Sequence, residues 1–229
     1  MRTIRGVPSI RDEGTEMNIA TVALGAGADL TDLTTAVRDA ARQTGLAAVL
    51  VEVAGETLDP RGDQVAASGA AERLRAALRR AAAPTVLAVT GPVGGAGLAA
   101  LLHFDVVLSA PTSTFTAGDP DSGALLASDL AGLLTRRIGP GRARHLVLTG
   151  RFLGAATALD WGLVAGVDPQ CADRAGELAR SWADSPGAGL ALRALDAAQR
   201  LPAADAAGYA RDMLPLLTPA PAEDTRSGR

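Results

Sequence analysis

The chain is poor in the residue types that build disulfides, metal clusters and aromatic surfaces. Cys171 is the single cysteine among 229 residues, which excludes an internal disulfide, a CxxC pair and a cysteine-based zinc cluster. Phenylalanine, tryptophan and tyrosine together supply 3% of the residues, so we expect no stacking surface for single-stranded nucleic acid. The core must instead be built from alanine, leucine and valine, within a composition that is 48% hydrophobic.

Lysine is absent, and arginine supplies all 22 of the lysine-plus-arginine positions. The formal net charge is −3, so the chain as a whole carries no excess of positive charge. The densest arginine group, Arg73, Arg75, Arg79 and Arg80, follows a helical spacing whose other face is apolar. We interpret this group as the solvated face of a helix and expect no nucleic-acid partner.

Long apolar segments are also missing. The first residues, MRTIRGVPSIRDEGTEMN, lack the apolar stretch of a signal peptide. No run approaches the roughly 20 apolar residues that span a bilayer. We therefore expect a cytoplasmic protein with no membrane partner, with residues 1–17 as a flexible tail and 218–229 as a disordered tail.

Strand-like and helix-like apolar patterns alternate along the chain. Strands are predicted at 18–24, 46–53, 85–89 and 105–109, and 162–167 is a last apolar segment. Helices are predicted at 31–44 (capped by Thr31 or Asp32), 70–82, 98–103, 129–138, 142–149 and 155–161, and over most of 171–217. This order requires parallel strand pairs joined by helical crossovers, which predicts an α/β core over 18–170 followed by C-terminal helices over 171–217.

The most informative segment is TVLAVTGPVGGAGLAALLHFDVVLSA, which places a glycine-rich turn between a strand and a helix. Backbone amides at such a helix start favour negative charge, either a phosphate or an oxyanion that develops during a reaction. Gly95, Gly97 and Ala100 match a dinucleotide-binding fingerprint, but the acid expected at the end of the next strand is missing. A protease-like site is also disfavoured, because the turn and its helix contain no serine or cysteine nucleophile. His103 lies in an apolar helical pattern, which is typical of a packed histidine.

Three segments, in order, resemble motifs of the crotonase (enoyl-CoA hydratase/isomerase) superfamily. They are APTVLAVTGPVGGAGLAALLHFDVVLSA, FTAGDPDSGALLASDLAGLLTRRIG and ARHLVLTGRFLGAATALDWGLVAGV. The resemblance implies a crotonase-like spiral of ββα turns with C-terminal helical elements, assembled as a homotrimer or a hexamer. It also implies an acyl-CoA or acyl-carrier-protein substrate, whose thioester oxygen is held by two backbone N–H groups as it becomes an enolate. Coenzyme A is then part of the substrate, and neither a separate cofactor nor a metal is expected.

The resemblance assigns the oxyanion donors residue by residue. Ala96 matches one donor, with Gly95 and Gly97 on either side. The second donor belongs to the loop GETLDPRGDQ, in which Gly62 is retained and Arg61 falls at the donor position. Arg61 has three interpretations: its backbone N–H donates, its guanidinium binds a phosphate, or it is a solvated loop residue.

Only one of the two hydratase acids has a counterpart. The position of the first is Ala99, and the second aligns with Asp119, for which Asp121 could substitute. The sequence GDPDSG is also typical of a plain turn, so a catalytic and a structural interpretation of these aspartates both stand. One carboxylate can still move a proton between two carbons.

The resemblance therefore implies a lyase or isomerase of secondary metabolism. The alternative is a catalytically degenerate auxiliary subunit that supports another crotonase-like or ketide-forming enzyme.

Overall fold

The computed structural model describes residues 3–5, 18–25, 27–54, 57–58, 64–185 and 187–217. The strands are β1 (Thr3–Arg5), β2 (Ile19–Leu24), β3 (Ala48–Val53), β4 (Thr85–Val89), β5 (Pro92–Gly94), β6 (Val106–Ser109), β7 (Thr114–Thr116), β8 (Leu153–Gly154) and β9 (Gly166–Val167). The α-helices are α1 (Leu30–Ala40), α2 (Gln64–Ala81), α3 (Gly95–Leu101), α4 (Ala124–Ala127), α5 (Leu130–Thr149), α6 (Ala155–Asp160), α7 (Cys171–Ala183), α8 (Ala188–Arg200) and α9 (Ala203–Asp212). Short 3-10 helices cover Pro120–Ser122 and Leu214–Leu216.

The larger sheet has the strand order β1-β2-β3-β4-β6-β9. Strands β2, β3, β4, β6 and β9 pair in parallel, and β1 pairs antiparallel with β2. The parallel pairs confirm the predicted α/β class with helical crossovers. Within the tail predicted over residues 1–17, residues 3–5 pair with β2. Residues 6–17, and the tail predicted over 218–229, lie outside the described residues.

Alternate side chains of the central strands enter two separate cores. Val49, Val51 and Leu87 belong to the larger apolar cluster, together with residues of α1, α2, α3 and α5. Leu50 and Val86 face α7, in the smaller one. Both faces of the sheet are therefore covered, which explains why the central strands read as continuous apolar runs.

A smaller sheet with the strand order β5-β7-β8 begins within the glycine turn, which contains β5. β5 pairs in parallel with β7, and β7 pairs antiparallel with β8. The sequence patterns did not predict these strands, because each has three residues or fewer and β5 contains both proline and glycine. This sheet is the element that positions the candidate site.

The helices lie where the patterns predicted them, but α2 begins six residues before the predicted residue 70 and α3 three residues before the predicted residue 98. Helix α1 is capped by Asp29, rather than by Thr31 or Asp32, through a reciprocal capping box in which the Asp29 side chain accepts from the Asp32 N–H. The predicted break between 129–138 and 142–149 is confirmed, and it lies at Gly139, whose φ of 80° interrupts α5 before Pro140.

The chain divides into two compact units, 1–184 and 185–229. The boundary lies later than the predicted division at residue 170, because α7 packs on the larger sheet through Cys171, Ala175 and Ala179. The second unit contains α8, α9 and the 3-10 helix Leu214–Leu216. Among the described residues, none of the helices combines the length and the apolar character needed to cross a membrane.

Candidate active site

The glycine turn connects β4 to α3 through the short strand β5. Gly95 is the first residue of α3 and has a φ of 50°, in the left-handed region that favours glycine. Ala96 is the second residue and is 0% exposed, like most of its helix. Amides of a helix's first turn point away from the helix body and carry partial positive charge. The residues assigned to the oxyanion donor thus occupy the helix start itself, because α3 begins at Gly95 and not at the predicted residue 98.

Gly97 packs directly against the backbone of Leu58. A Cβ added at Gly97 would lie 1.9 Å from the Leu58 carbonyl oxygen. The Gly94 N–H donates a hydrogen bond of 2.9 Å to the same oxygen. Close backbone approach to Leu58 therefore explains the glycine at position 97.

Leu58 also links the glycine turn to the loop that was assigned the second donor. Its side chain is buried, at 1% exposure, and the loop continues from it towards positions 61 and 62. Arg61 and Gly62 themselves lie outside the described residues, so their assignment stays a prediction.

Ala96 and Asp119 each follow the carboxyl end of a strand in the small sheet, and these two strands are paired in parallel. In the parallel pair β5 and β7, Gly94 lies opposite Thr116. Ala96 follows Gly94 by two residues, and Asp119 follows Thr116 by three. Because parallel strands end at the same edge of a sheet, the donor and the acid assigned from the sequence leave their strands side by side.

Asp119 and Asp121 both lie on the exposed turn that follows β7. Asp119 is the N-cap of the 3-10 helix Pro120–Ser122, and its Oδ1 accepts the Asp121 N–H at 2.9 Å. This is the turn role that the sequence GDPDSG also allowed. Both side chains are exposed, so Asp119 combines a capping contact with a solvent-facing carboxylate.

No carboxylate occupies the interior of α3. Ala99, which stands at the position of the other family acid, is 0% exposed and packs in the larger core. Within the described ranges, no group of three or more histidine, cysteine, aspartate or glutamate side chains is arranged to hold a metal ion.

His103 is a packed histidine, as its position in an apolar pattern predicted. Its side chain is 6% exposed, and its Nε2 lies 3.6 Å from Oδ1 of Asp129 without forming a hydrogen bond. Burial lowers the pKa of His103, and the nearby Asp129 carboxylate opposes that shift only in part. The imidazole is therefore held neutral near pH 7.

Thr116 is a site feature that sequence reasoning missed. It is 5% exposed, and its hydroxyl contacts both the Gly118 N–H and the Gly150 carbonyl. A threonine in a three-residue strand gives no pattern signal, and the proximity of Gly150 depends on how β7 and β8 pair.

Comparison with known proteins identifies the family. The family model described as enoyl-CoA hydratase/isomerase matches residues 50–213. The chain is 39% identical over 100 residues to "Probable enoyl-CoA hydratase EchA17" of Mycobacterium tuberculosis, covering 44% of this chain and 38% of that protein. It is 35% identical over 120 residues to the 1,2-epoxyphenylacetyl-CoA isomerase of Escherichia coli, covering 51% of this chain and 46% of that protein.

The fold is shared with solved structures of the same family. An enoyl-CoA hydratase/isomerase family protein from Silicibacter pomeroyi superposes with a TM-score of 0.69 at 22% identity, covering 88% of this chain and 94% of that chain. These two curated relatives are matched over less than half of their length, whereas the family model covers more than half of this chain. The chain therefore belongs to the enoyl-CoA hydratase/isomerase family, the crotonase superfamily, and has its fold.

Proposed function

We propose that this protein binds an acyl thioester, linked to coenzyme A or to a carrier protein, and stabilises its enolate with an oxyanion hole. The thioester oxygen would accept from the Ala96 N–H, with Gly95 and Gly97 shaping the turn. The second donor would come from the loop that holds Arg61 and Gly62. In this proposal coenzyme A belongs to the substrate, and the chemistry needs no further cofactor.

The observation that carries the proposal is the parallel pairing of β5 with β7. Gly94 lies opposite Thr116, so Ala96 and Asp119 leave the same edge of one small sheet. An enolate-forming site needs an acid/base group near the α-carbon and N–H donors at the thioester oxygen. In this proposal the two functions come from residues that follow these paired strands in the chain.

A single carboxylate restricts the reaction. With Ala99 in place of one acid, we expect Asp119 to take a proton from the α-carbon while the electron pair moves to the thioester oxygen, and then to return the proton to carbon. Isomerase-like or hydratase-like proton transfer, of the kind a lyase or isomerase carries out, fits this arrangement best. We place the enzyme in secondary metabolism and propose a homotrimer or hexamer as its assembly.

The proposal predicts different effects for two neighbouring aspartates. Asp119→Asn should slow exchange of substrate α-protons with solvent deuterium by roughly 10²-fold or more, the scale of a lost acid/base group. The amide still offers an oxygen to the Asp121 N–H, so the turn should persist. Asp121→Asn is the matched control, since its side chain is not required for that hydrogen bond.

Titration with a panel of acyl-CoA and acyl-pantetheine thioesters tests substrate binding. The proposal expects saturable binding of at least one acyl-CoA or acyl-pantetheine. If acyl-CoA binds and the matching acyl-pantetheine does not, the nucleotide part of coenzyme A contributes to recognition. The absence of binding to every member would contradict the proposal.

Two observations favour a second function: Ala99 is buried in the core, and Asp119 serves as a helix cap. The protein would then be an auxiliary subunit that supports another crotonase-like or ketide-forming enzyme. Copurification of such a partner, together with no effect of Asp119→Asn on the activity of the complex, would favour this alternative.

A further inference from the structure

The Thr116 hydroxyl joins two segments that meet beside the candidate acid. Its Oγ1 accepts a hydrogen bond of 3.1 Å from the Gly118 N–H and donates one of 3.3 Å to the Gly150 carbonyl. The residue is 5% exposed, so water competes little for these contacts. A buried hydroxyl that is satisfied on both sides fixes the relative position of the groups it bridges.

The bridged groups lie directly next to Asp119. Gly118 precedes Asp119 in the chain, so a hydrogen bond to its N–H restrains the backbone that carries the carboxylate. Gly150 ends α5 in the left-handed conformation, with a φ of 56°. A Cβ built on Gly150 would lie 3.6 Å from the Gly118 carbonyl oxygen and 3.9 Å from Cδ of Pro120. The end of α5 therefore packs on both sides of the Asp119 position.

Thr116 also connects this turn to the glycine turn. It is the last residue of β7 and lies opposite Gly94 of β5. Gly94 in turn donates to the Leu58 carbonyl beside Gly97. Backbone pairing on one side and the hydroxyl on the other thus place Thr116 between the segment that holds Ala96 and the segment that holds Asp119.

We propose that Thr116 is a positioning residue, which fixes the Asp119 carboxylate relative to the Ala96 helix start through its hydroxyl bridge to Gly118 and Gly150. The inference rests on the proposed function, because it assigns to Asp119 the acid/base role given above. Thr116 does not touch the substrate in this account. It acts through the backbone of the turn.

Thr116→Val tests the bridge with little change in shape. Valine keeps the β-branched form that suits a strand, and it removes the donor and acceptor. A displacement of about 1 Å at a catalytic group can cost on the order of 10²-fold in rate. We expect kcat for α-proton exchange to fall roughly 10- to 100-fold, with KM and the Kd for the acyl thioester unchanged.

Two further variants separate positioning from general structure. Thr116→Ser keeps the hydroxyl and should restore most of the lost kcat. Thr114→Val makes the same change two residues earlier in β7 and should leave kcat unchanged. Counting thioester-binding sites per chain by titration corrects every kcat for the fraction of folded protein, so a mere loss of folded protein would not imitate the expected result.

The outcomes distinguish this inference from the proposed function. If Asp119→Asn is impaired but Thr116→Val has the wild-type kcat, or if Thr116→Ser is as impaired as Thr116→Val, the positioning role is overturned and the proposed function stands. If the wild-type protein exchanges no α-proton, or Asp119→Asn exchanges at the wild-type rate, the acid/base role of Asp119 fails and this inference fails with it. A kcat loss in Thr116→Val that serine rescues, with unchanged KM, supports it.

Discussion

Replacing Gly97 with alanine should damage the glycine turn more than any ordinary glycine-to-alanine change. The new Cβ would lie 1.9 Å from the Leu58 carbonyl oxygen, 2.5 Å from its carbon and 2.8 Å from its Cα. All three are backbone atoms, so no side-chain rotation relieves the contact. Leu58 and α3 would have to separate by about 1 Å to reach the shortest contacts found in close-packed interiors.

That separation has two costs. Overpacking of a well-packed interior costs about 1–3 kcal/mol. The hydrogen bond of 2.9 Å from the Gly94 N–H to the Leu58 carbonyl would be stretched beyond its normal range, and an unsatisfied buried donor costs about 1–3 kcal/mol. Together these costs predict that the free energy of unfolding falls by about 2–6 kcal/mol, a large part of the total for a typical domain.

Urea unfolding at equilibrium measures this difference, with Gly69→Ala as the matched control. Gly69 lies within α2, where an added Cβ would meet only the end of the flexible Arg73 side chain at 3.4 Å. Alanine in a helix interior is favoured over glycine by about 0.5–1 kcal/mol, so the control should be at least as stable as the wild type. Equal stability of the Gly97→Ala and Gly69→Ala variants would refute the packing argument.

Three further predictions concern groups outside the glycine turn. Burial lowers the pKa of His103, so as the pH falls through the ordinary value of 6.5 the unfolded chain binds a proton before the folded chain does. The free energy of unfolding should therefore decrease as the pH falls through that range. His103→Leu should reduce this pH dependence, as urea titrations at several pH values would show. Burial and Asp173 raise the pKa of Glu52, so the wild type loses stability as the pH rises above the ordinary value of 4.5. Glu52→Gln should therefore gain stability relative to the wild type between pH 4 and pH 7, as thermal melts at the two pH values would show. Asp29→Ala removes the cap of α1 and should cost about 0.5–2 kcal/mol, which calorimetry can measure against Asp39→Ala in the same helix.

The sequence predicted the elements whose patterns are long and regular. The buried strands β3 and β4 and the helices α2 and α5 follow from apolar periodicity. The ends of the elements were predicted less accurately. The start of α1 is set by the reciprocal hydrogen bonds of a capping box around Asp29, which apolar spacing does not reveal. The break in α5 was predicted from Pro140 and Gly141, and it lies at Gly139, within the predicted gap.

The candidate site was predicted only as separate pieces. Ala96 and Asp119 were identified by resemblance to family motifs, but no local pattern shows that the strands preceding them, β5 and β7, pair in parallel. Gly97 was expected to let the backbone approach a ligand, whereas the close contact with the Leu58 backbone already explains why a glycine stands there. Thr116 was missed because its hydroxyl contacts, to Gly118 and Gly150, join positions that are up to 34 residues apart.

The central claim is that the protein forms an enolate from an acyl thioester. Its most direct test is mass spectrometry of an acyl thioester that the protein binds, after incubation with the wild-type chain in deuterium oxide. The account predicts deuterium at the α-carbon, at a rate roughly 10²-fold or more above that of the Asp119→Asn variant. Saturable binding with no deuterium incorporation above the protein-free rate would contradict the account and would favour the auxiliary subunit instead.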